Sequence, residues 1–471
     1  MSRLGPKGAN GGDGPGFADR YAEELASMEI FGDQFSDIRE IKFASVTGRR
    51  INIRPYDEWC SVDQDAGKVL TEKLGKRTWP LPGVPNVDES NPDLFREVIR
   101  ASYPYLDFKD DRMDAVFAAW IIGSGIAEHF AVSPRLIING IKGSGKTNVL
   151  KMINQLAYRG RNSGGSTAAV IYRVVDGYRV TYALDELQRC SQEARNGIMN
   201  VFNCGFDGSP IERYNSDKGD VDIFRTRGFM AVASKEMIFA EDELERAIYI
   251  SMRKSKRNDI RVAPGPEEEE SELMKVRGDL LGFWLRIRAG SESLADDRSR
   301  ASEILNAPIT LKDGTTIRLS GRTKSIADVL ITIALHFNDD VAVEDILNVI
   351  AESKAQSDEE LYETFNVQCF IALRDLVGSL PKRPMKVYLP DIRGRVNEIL
   401  YATGNIESGK PITTKQVSKA LKVMGFRPSA KGGAGGKSYI DFSLPYNLKV
   451  YADRLEEFAS DESWGEGLAM A

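Results

Sequence analysis

Within RLIINGIKGSGKTNVLK (135–151), Gly140, Gly145, Lys146 and Thr147 fit the spacing G-x-x-x-x-G-K-[ST]. The chemistry this spacing supports is the holding of a polyphosphate. Glycines let backbone N–H groups turn toward an anion, and the N-terminus of a following helix attracts negative charge. Gly143 and Ser144 belong to the same loop. Lys146 is suited to the β- and γ-phosphates of ATP, and Thr147 to a magnesium ion. The flanks agree: RLII reads as a buried strand, and TNVLKMINQLAY starts as a helix.

Hydrolysis needs two more groups, a carboxylate for the metal and a base that orients water. RVTYALDELQRC (179–190) offers both at the end of an alternating apolar strand: Asp185 for the metal and Glu186 for the water, 39 positions after Lys146. A strand that merely stops in acids is the plainer alternative. A third strand, GFMAVASKE (228–236), ends at Ser234, which would bring a hydroxyl near the γ-phosphate if it lies beside the other two. In EDELERAIYISM (241–252), Arg246 sits between an acidic helix and a fourth apolar strand. It is suited to a neighbouring subunit's γ-phosphate, or to a surface pairing with Glu243. Upstream of the third strand, PIERY and VDIFRT flank NSDKGD, whose Asp, Lys and Gly are turn chemistry. The expected hairpin carries Arg213 on its first strand and Lys218 at its tip, facing either DNA or plain solvent.

These groups must be carried by several units, because 471 residues exceed what one hydrophobic core usually organises. Residues 1–35 are glycine-rich and weakly apolar at first and read as a disordered tail. A small region, 36–110, mixes strand-like runs with the proline cluster WPLPGVPNVDESNP. Residues 111–255 hold the nucleotide core, entered through the helical pattern RMDAVFAAWIIGSGIAEHF. VAPGPEEEESE marks a boundary, 256–380 are mostly helical in pattern, 381–450 form a basic domain, and 451–471 an acidic tail.

A net charge of −6 argues on its face against a nucleic-acid partner, but the charge is uneven. Residues 382–450 carry thirteen Lys and Arg against four Asp and Glu, a balance of +9. The tail that follows reverses the sign and reads as a solubilising end or an intramolecular decoy. In the basic stretch, DIRGRVNEILYATG and TTKQVSKALKVMGF are two helices, the second capped by Thr413, and RPSAKGGAGGKSYIDFS is a glycine-rich basic loop leading into a strand. That is the order of a winged helix-turn-helix, with Lys415, Lys419 and Lys422 on one helical side and Lys431 and Lys437 in the wing. A helical cap carrying surface lysines is the alternative. Cys60, Cys190, Cys204 and Cys369 lie far apart without C-x-x-C, which suggests neither a disulfide framework nor a zinc site. His129 and His336 are the two histidines, which leaves little room for histidine-based catalysis. No window approaches the ~18 apolar residues of a membrane span, and MSRLGPKGANGGDGPGF lacks the apolar segment of a secretory signal, so a cytoplasmic protein with no membrane partner is expected.

Together these residues resemble an AAA+ ATPase, and more narrowly the helicase-like ATPase domain of phage and plasmid replication proteins, often fused to a primase-polymerase. The resemblance runs from about Ala115 to Tyr446, through AAWI, SPRLIINGIKGSGKTNVLK, STAAVIYRVVDGYRVTYALDE, FNCGFDGSPIERY, AVASKE, ERAIYISMRK, GRTKSIADVLITIA and GKPITTKQVSKALKVMGFRP in that order. It implies an α/β fold: an AAA+ P-loop ATPase core with a parallel sheet, a helical lid and a C-terminal winged-helix-like domain. It implies a ring, usually a hexamer, that hydrolyses ATP with Mg2+ at subunit interfaces and moves on single-stranded or forked DNA. Arg246 would be the finger, and Arg322 of GRTKS a lid arginine at the nucleotide. Residues 1–110 are too short and too poor in acidic motifs for a primase, so a primase or polymerase would be a separate partner. The chain departs from related ATPases at Ser234, where Asn or Thr is frequent. The expected function is an ATP-dependent DNA helicase or helicase-like motor. An AAA+ initiator or loader and a nucleotide-gated DNA-binding regulator are the alternatives.

Overall fold

Short apolar runs that stop at glycine or acid become strands, and longer ones with helical spacing become the helices that cover them. The computed structural model describes residues 29–31, 42–55, 79–217, 219–235, 239, 241–265, 271–311, 314, 316–362, 365–378, 386–402, 412–429 and 438–459. They form a mixed α/β protein in two units. The first takes residues up to 307 with 320–350, and the second 308–319 with residues from 351 onward.

In the first unit, β1 (Glu29–Phe31), β2 (Lys42–Thr47) and β3 (Arg50–Pro55) pair antiparallel. Residues 29–31 thus form a strand inside the stretch expected to lack structure. The main sheet consists of β4 (Arg135–Gly140), β5 (Arg161–Ser163), β6 (Tyr182–Leu184), and, after the antiparallel hairpin β7 (Ile211–Asn215) and β8 (Asp220–Phe224), of β9 (Met230–Ser234) and β10 (Ala247–Met252). Its order is β10-β4-β9-β6-β5, with every pairing parallel. Leu136, Ile137, Ile138, Ala231, Val232 and Ala233 are fully buried whichever way they point, as a parallel sheet covered on both faces requires.

The helices of this unit are α1 (Leu94–Ser102), α2 (Met113–Gly123), α3 (Lys146–Leu156), α4 (Ala168–Tyr178), α5 (Gln192–Asp207), α6 (Glu241–Leu244), α7 (Ser271–Ala289), α8 (Ala295–Asn306) and α9 (Gly321–His336). α2 is apolar on every side and almost entirely buried. α7 follows the glutamate run, yet it belongs to the core of the first unit. Arg277 donates to the Leu81 carbonyl at 2.9 Å and to Gln155 Oε1 of α3 at 2.7 Å, and Trp284 Nε1 donates to the Ile122 carbonyl at 2.7 Å. The division between the two units falls within α10 (Asp340–Tyr362).

The second unit contains the short strands β11 (Ile309–Thr310) and β12 (Thr316–Ile317), α11 (Phe365–Gly378), β13 (Lys386–Tyr388), α12 (Leu389–Ala402), α13 (Thr414–Val423), β14 (Tyr439–Asp441) and α14 (Pro445–Ala459). Phe370, Leu373, Ile392, Val396, Leu421 and Phe426 are among its core residues. The two expected basic helices are α12 and α13. Thr413 caps α13 reciprocally with Gln416, and β13 pairs antiparallel with β14. α14 runs to Ala459 and buries Tyr451, so the start of the expected acidic tail is helical. Lys218, Lys431, Lys437 and residues 460–471 lie outside the described residues.

A buried ionic cluster ties β1 to the rest of the first unit. Glu29 accepts from the Tyr158 hydroxyl, from Arg288 at 2.7 Å and from Arg159 at 3.3 Å. Burial pushes its carboxyl up, but Arg159 and Arg288 more than offset this and hold it below the usual carboxylate value. Glu29→Gln should therefore cost about 3–5 kcal/mol, because it removes the buried carboxylate that faces both Arg159 and Arg288 and leaves Arg288, among the described residues, only the exposed Glu128 carboxylate at 3.5 Å. A lowered carboxyl contributes stability above its unfolded pKa and loses it as pH falls through the folded value. Thermal unfolding between neutral and acid pH should show the wild-type advantage over Glu29→Gln narrowing in acid; an advantage independent of pH would contradict this account.

Candidate active site

β4 ends at Gly140, and the chain turns through 141–145 into α3, whose first residue is Lys146. Gly143 and Gly145 lie at φ 79° and 93°, a left-handed conformation that costs glycine little. At Gly140 a Cβ would stand 2.6 Å from the Met252 carbonyl oxygen and 2.6 Å from Ser144 Oγ, so the loop closes only over glycine. Ser144 is buried, and its hydroxyl has no hydrogen-bond partner among the described residues. Lys146 Nζ folds back to donate to the Gly140 carbonyl, and to that of Ile141 at 3.0 Å. Burial lowers the Lys146 pKa against the attraction of Asp185, with Lys235 adding repulsion. The loop's lysine thus caps the loop's own carbonyls.

Strand register sets the acids beside this loop. Ile137 pairs with Val232, and Val232 with Leu184, so the residues after Leu184 stand level with Ile138 and Asn139. Thr147 Oγ1 donates across β9 to Asp185 Oδ2 at 3.2 Å. Asp185 Oδ1 accepts from the Glu186 backbone N–H at 2.8 Å. Glu186 is held at φ 56°, ψ 37°, a conformation that costs a non-glycine residue about 1–2 kcal/mol and that gathers at functional sites. Its carboxylate is paired with Arg189. Ser234 closes β9 beside Asn139, whose Nδ2 donates to the Ser234 carbonyl at 3.3 Å. Lys146, Thr147, Asp185, Glu186 and Ser234 thus meet at one end of the sheet.

On the β10 side of the same loop lies a cavity of about 370 Å³, lined by the loop and by Tyr105, Asp107, Met252, Ser255 and Arg261, of a size suited to a small molecule. Asn148 fixes its walls, donating to the Tyr105 carbonyl at 3.0 Å and the Arg261 carbonyl at 2.9 Å, and accepting from the Ala263 N–H at 3.3 Å. Among the described residues, no group of three or more His, Cys, Asp or Glu side chains could hold a metal ion. Thr147 and Asp185, joined by their hydrogen bond, are two oxygen donors that could hold a hard divalent cation here.

The remaining expected residues lie elsewhere. Arg246 precedes β10 at the opposite end of the sheet and pairs with Asp242 at 3.2 Å. Arg322, expected as a lid arginine at the nucleotide, is paired with Glu245 beside Arg246, and α9 packs by its buried face on α2 and α8. Arg213 lies over the Tyr172 ring, 5.6 Å from its centroid. On the other face of the hairpin, Tyr214 is 72% exposed, with Val221 and Ile223 also exposed. Lys415, Lys419 and Lys422 are exposed on α13, opposite buried Val417, Ala420 and Leu421. Two features escaped the sequence reading. Lys235, the residue after Ser234, stands close enough to Lys146 to repel it, and its position in ASKE was the available signal. The cavity walls come from segments about 150 positions apart in the chain, with no local signal.

No family model matches the chain, and no curated protein matches it. The structure is similar to "The A form apo structure of NrS-1 C terminal region-CTR" with a TM-score of 0.33 and 12% identity, over 89% of this chain and 97% of that one. A likeness of this degree carries no functional inference. No helix among the described residues is long and apolar enough to cross a membrane.

The backbone at Glu186 makes a ligand-free test of the site's geometry. Glycine relieves a left-handed conformation and alanine does not, so Glu186→Gly should be more stable than Glu186→Ala by about 1 kcal/mol, read as a Tm about 2 °C higher. An alanine variant as stable as the glycine variant would contradict the strained turn.

Proposed function

We propose that this chain is a magnesium-dependent ATPase of the AAA+ class that acts on DNA as a helicase or helicase-like motor, hydrolysing ATP at the subunit interfaces of a ring. One observation carries the reading: the hydrogen bond from Thr147 to Asp185 joins the phosphate loop to an acidic strand end. Neither element alone distinguishes hydrolysis from simple anion binding. Their closeness supports a reading in which Thr147 and Asp185 would hold the metal and Glu186 would be the base beside a γ-phosphate.

When bound, magnesium would neutralise charge on the transferred phosphate. Thr147 and Asp185 would hold it. Lys146 would leave the Gly140 and Ile141 carbonyls for phosphate oxygens, exchanging dipoles for full charges. Glu186 would give up Arg189 and orient the attacking water, and Ser234 with Lys235 would face the same phosphate from β9. The cavity walled by Tyr105, Asp107 and Arg261 would receive the nucleoside. Arg246 lies too far to reach its own chain's loop: the six residues of β10 at ~3.3 Å each place it about 20 Å away. That distance supports a role at the nucleotide of a neighbouring subunit, as an arginine finger. Exposed Lys415, Lys419 and Lys422 support phosphate-backbone contact by a winged-helix-like second unit, and Tyr214 offers a ring on which a base could stack. The part played by Lys218, Lys431 and Lys437 follows from their charge and sequence position alone.

The test is an ATPase assay with and without single-stranded DNA, alongside strand displacement on a forked substrate. Wild type should hydrolyse ATP, faster with DNA, and open the fork. Glu186→Gln should bind Mg-ATP but lose about 10²–10⁴-fold in turnover. Replacing Lys415, Lys419 and Lys422 together by Ala should weaken DNA binding and reduce its salt slope by about 2. Undiminished turnover in Glu186→Gln would defeat the catalytic assignment, and turnover indifferent to DNA would defeat the motor.

A further inference from the structure

We infer that Arg322 serves the same nucleotide as Arg246, that of the adjoining subunit, so that each composite site receives two arginines in trans. The inference rests on the proposed ring ATPase and assigns the chain that supplies the second arginine. Arg322 stands in the first turn of α9 and pairs through Nη1 with Glu245. Glu245 immediately precedes Arg246, which donates to the Asp242 carbonyl and lies 3.2 Å from the Asp242 carboxylate. Two guanidinium groups therefore share one short acidic segment at the N-terminal edge of the parallel sheet. β10 leads from there, with Ala247 beside Arg135, to Met252 beside Gly140. A side chain held at the first end cannot touch a phosphate held at the second.

α9 is not free to carry Arg322 across. Ile326, Ala327, Val329 and Leu330 are buried, and Lys324 Nζ donates to Asn306 of α8 at 2.5 Å. The arginine side chains themselves are less constrained. Arg322 is 41% and Arg246 17% exposed, and each is held by an acid that is at least half exposed. Exposed ion pairs of this kind hold weakly, whereas a polyphosphate offers several charges and matches the planar guanidinium fork. Within one chain both arginines are parked on carboxylates. A neighbouring nucleotide is the strongest anion that a ring would bring to this edge, and its arrival would exchange Asp242 and Glu245 for phosphate oxygens. The site on each chain is then incomplete without the partner subunit's Arg246 and Arg322.

Subunit mixing decides the point with full-length protein. Arg322→Ala should bind a fluorescent ATP analogue within about twofold of wild type, since its own cradle is intact, while its turnover falls at least about tenfold. Mixed with inactive Lys146→Ala subunits, it should regain turnover well above the sum of the two separate preparations. The restored interfaces are those where an intact cradle on an Arg322→Ala subunit meets the partner subunit's Arg322. A lid arginine acting on its own chain's nucleotide predicts weaker analogue binding and no recovery on mixing, and a merely structural pair predicts unchanged turnover; either result overturns the inference. The parallel mixture of Arg246→Ala with Lys146→Ala separates the two levels. Recovery there without recovery for Arg322→Ala removes this inference and leaves the ring ATPase standing, whereas a wild-type chain without ATPase activity removes both.

Discussion

The register of β9 between β4 and β6 is the constraint on which the site depends. With Ile137, Val232 and Leu184 level across three parallel strands, the three carboxyl ends finish in one row, and loop, hydroxyl and acids follow from where each strand stops. A slip of one residue would reverse which side chains face each way and would separate Thr147 from Asp185. The buried residues of these strands therefore determine the chemistry as much as the polar residues beyond them. Gly140 adds a second limit, since β4 ends so close to the Met252 carbonyl and to Ser144 that no side chain is admitted.

The charged groups at this end are each engaged within the chain. Lys146 caps loop carbonyls, Thr147 binds Asp185, and Glu186 is paired with exposed Arg189. None of these contacts is deeply buried, so a ligand carrying several negative charges and a metal could replace them without uncovering the core. The strained backbone at Glu186 keeps its carboxylate at the strand end whichever partner it has. At the far edge Arg246 and Arg322 stand in the same relation to Asp242 and Glu245. Loosely held charged groups thus lie at both ends of one sheet, which supports the proposed sharing of the site between copies.

Much of this was legible in the sequence because it is local. The glycine spacing, Lys146 and Thr147 fall within eight residues, and Asp185 with Glu186 closes an alternating apolar run. Thr413 and its helix could be read from a cap and an apolar period. What could not be read depends on packing between distant segments. Arg322 lies in a motif suggestive of a nucleotide contact, but its place is set by α9 against α2 and α8. The glutamate run at 267–270 looks like a boundary, yet α7 beyond it buries Arg277 and Trp284 against α3 and α2 because their polar atoms find partners there. Glu29 stood in a glycine-rich, weakly apolar stretch whose composition gave no sign that two arginines more than a hundred residues away would bury it.

The central claim is that the loop at 140–147, completed by Asp185, is a cradle for the phosphates of a magnesium-bound nucleotide. Calorimetric titration of the full-length chain with ATP, with and without magnesium, tests it most directly. Wild type should bind one ATP per chain, more tightly with magnesium, and Lys146→Ala should bind at least about tenfold more weakly through loss of a charge-assisted contact. A wild-type chain that takes up no ATP, or a Lys146→Ala chain that binds it equally well, would contradict the account.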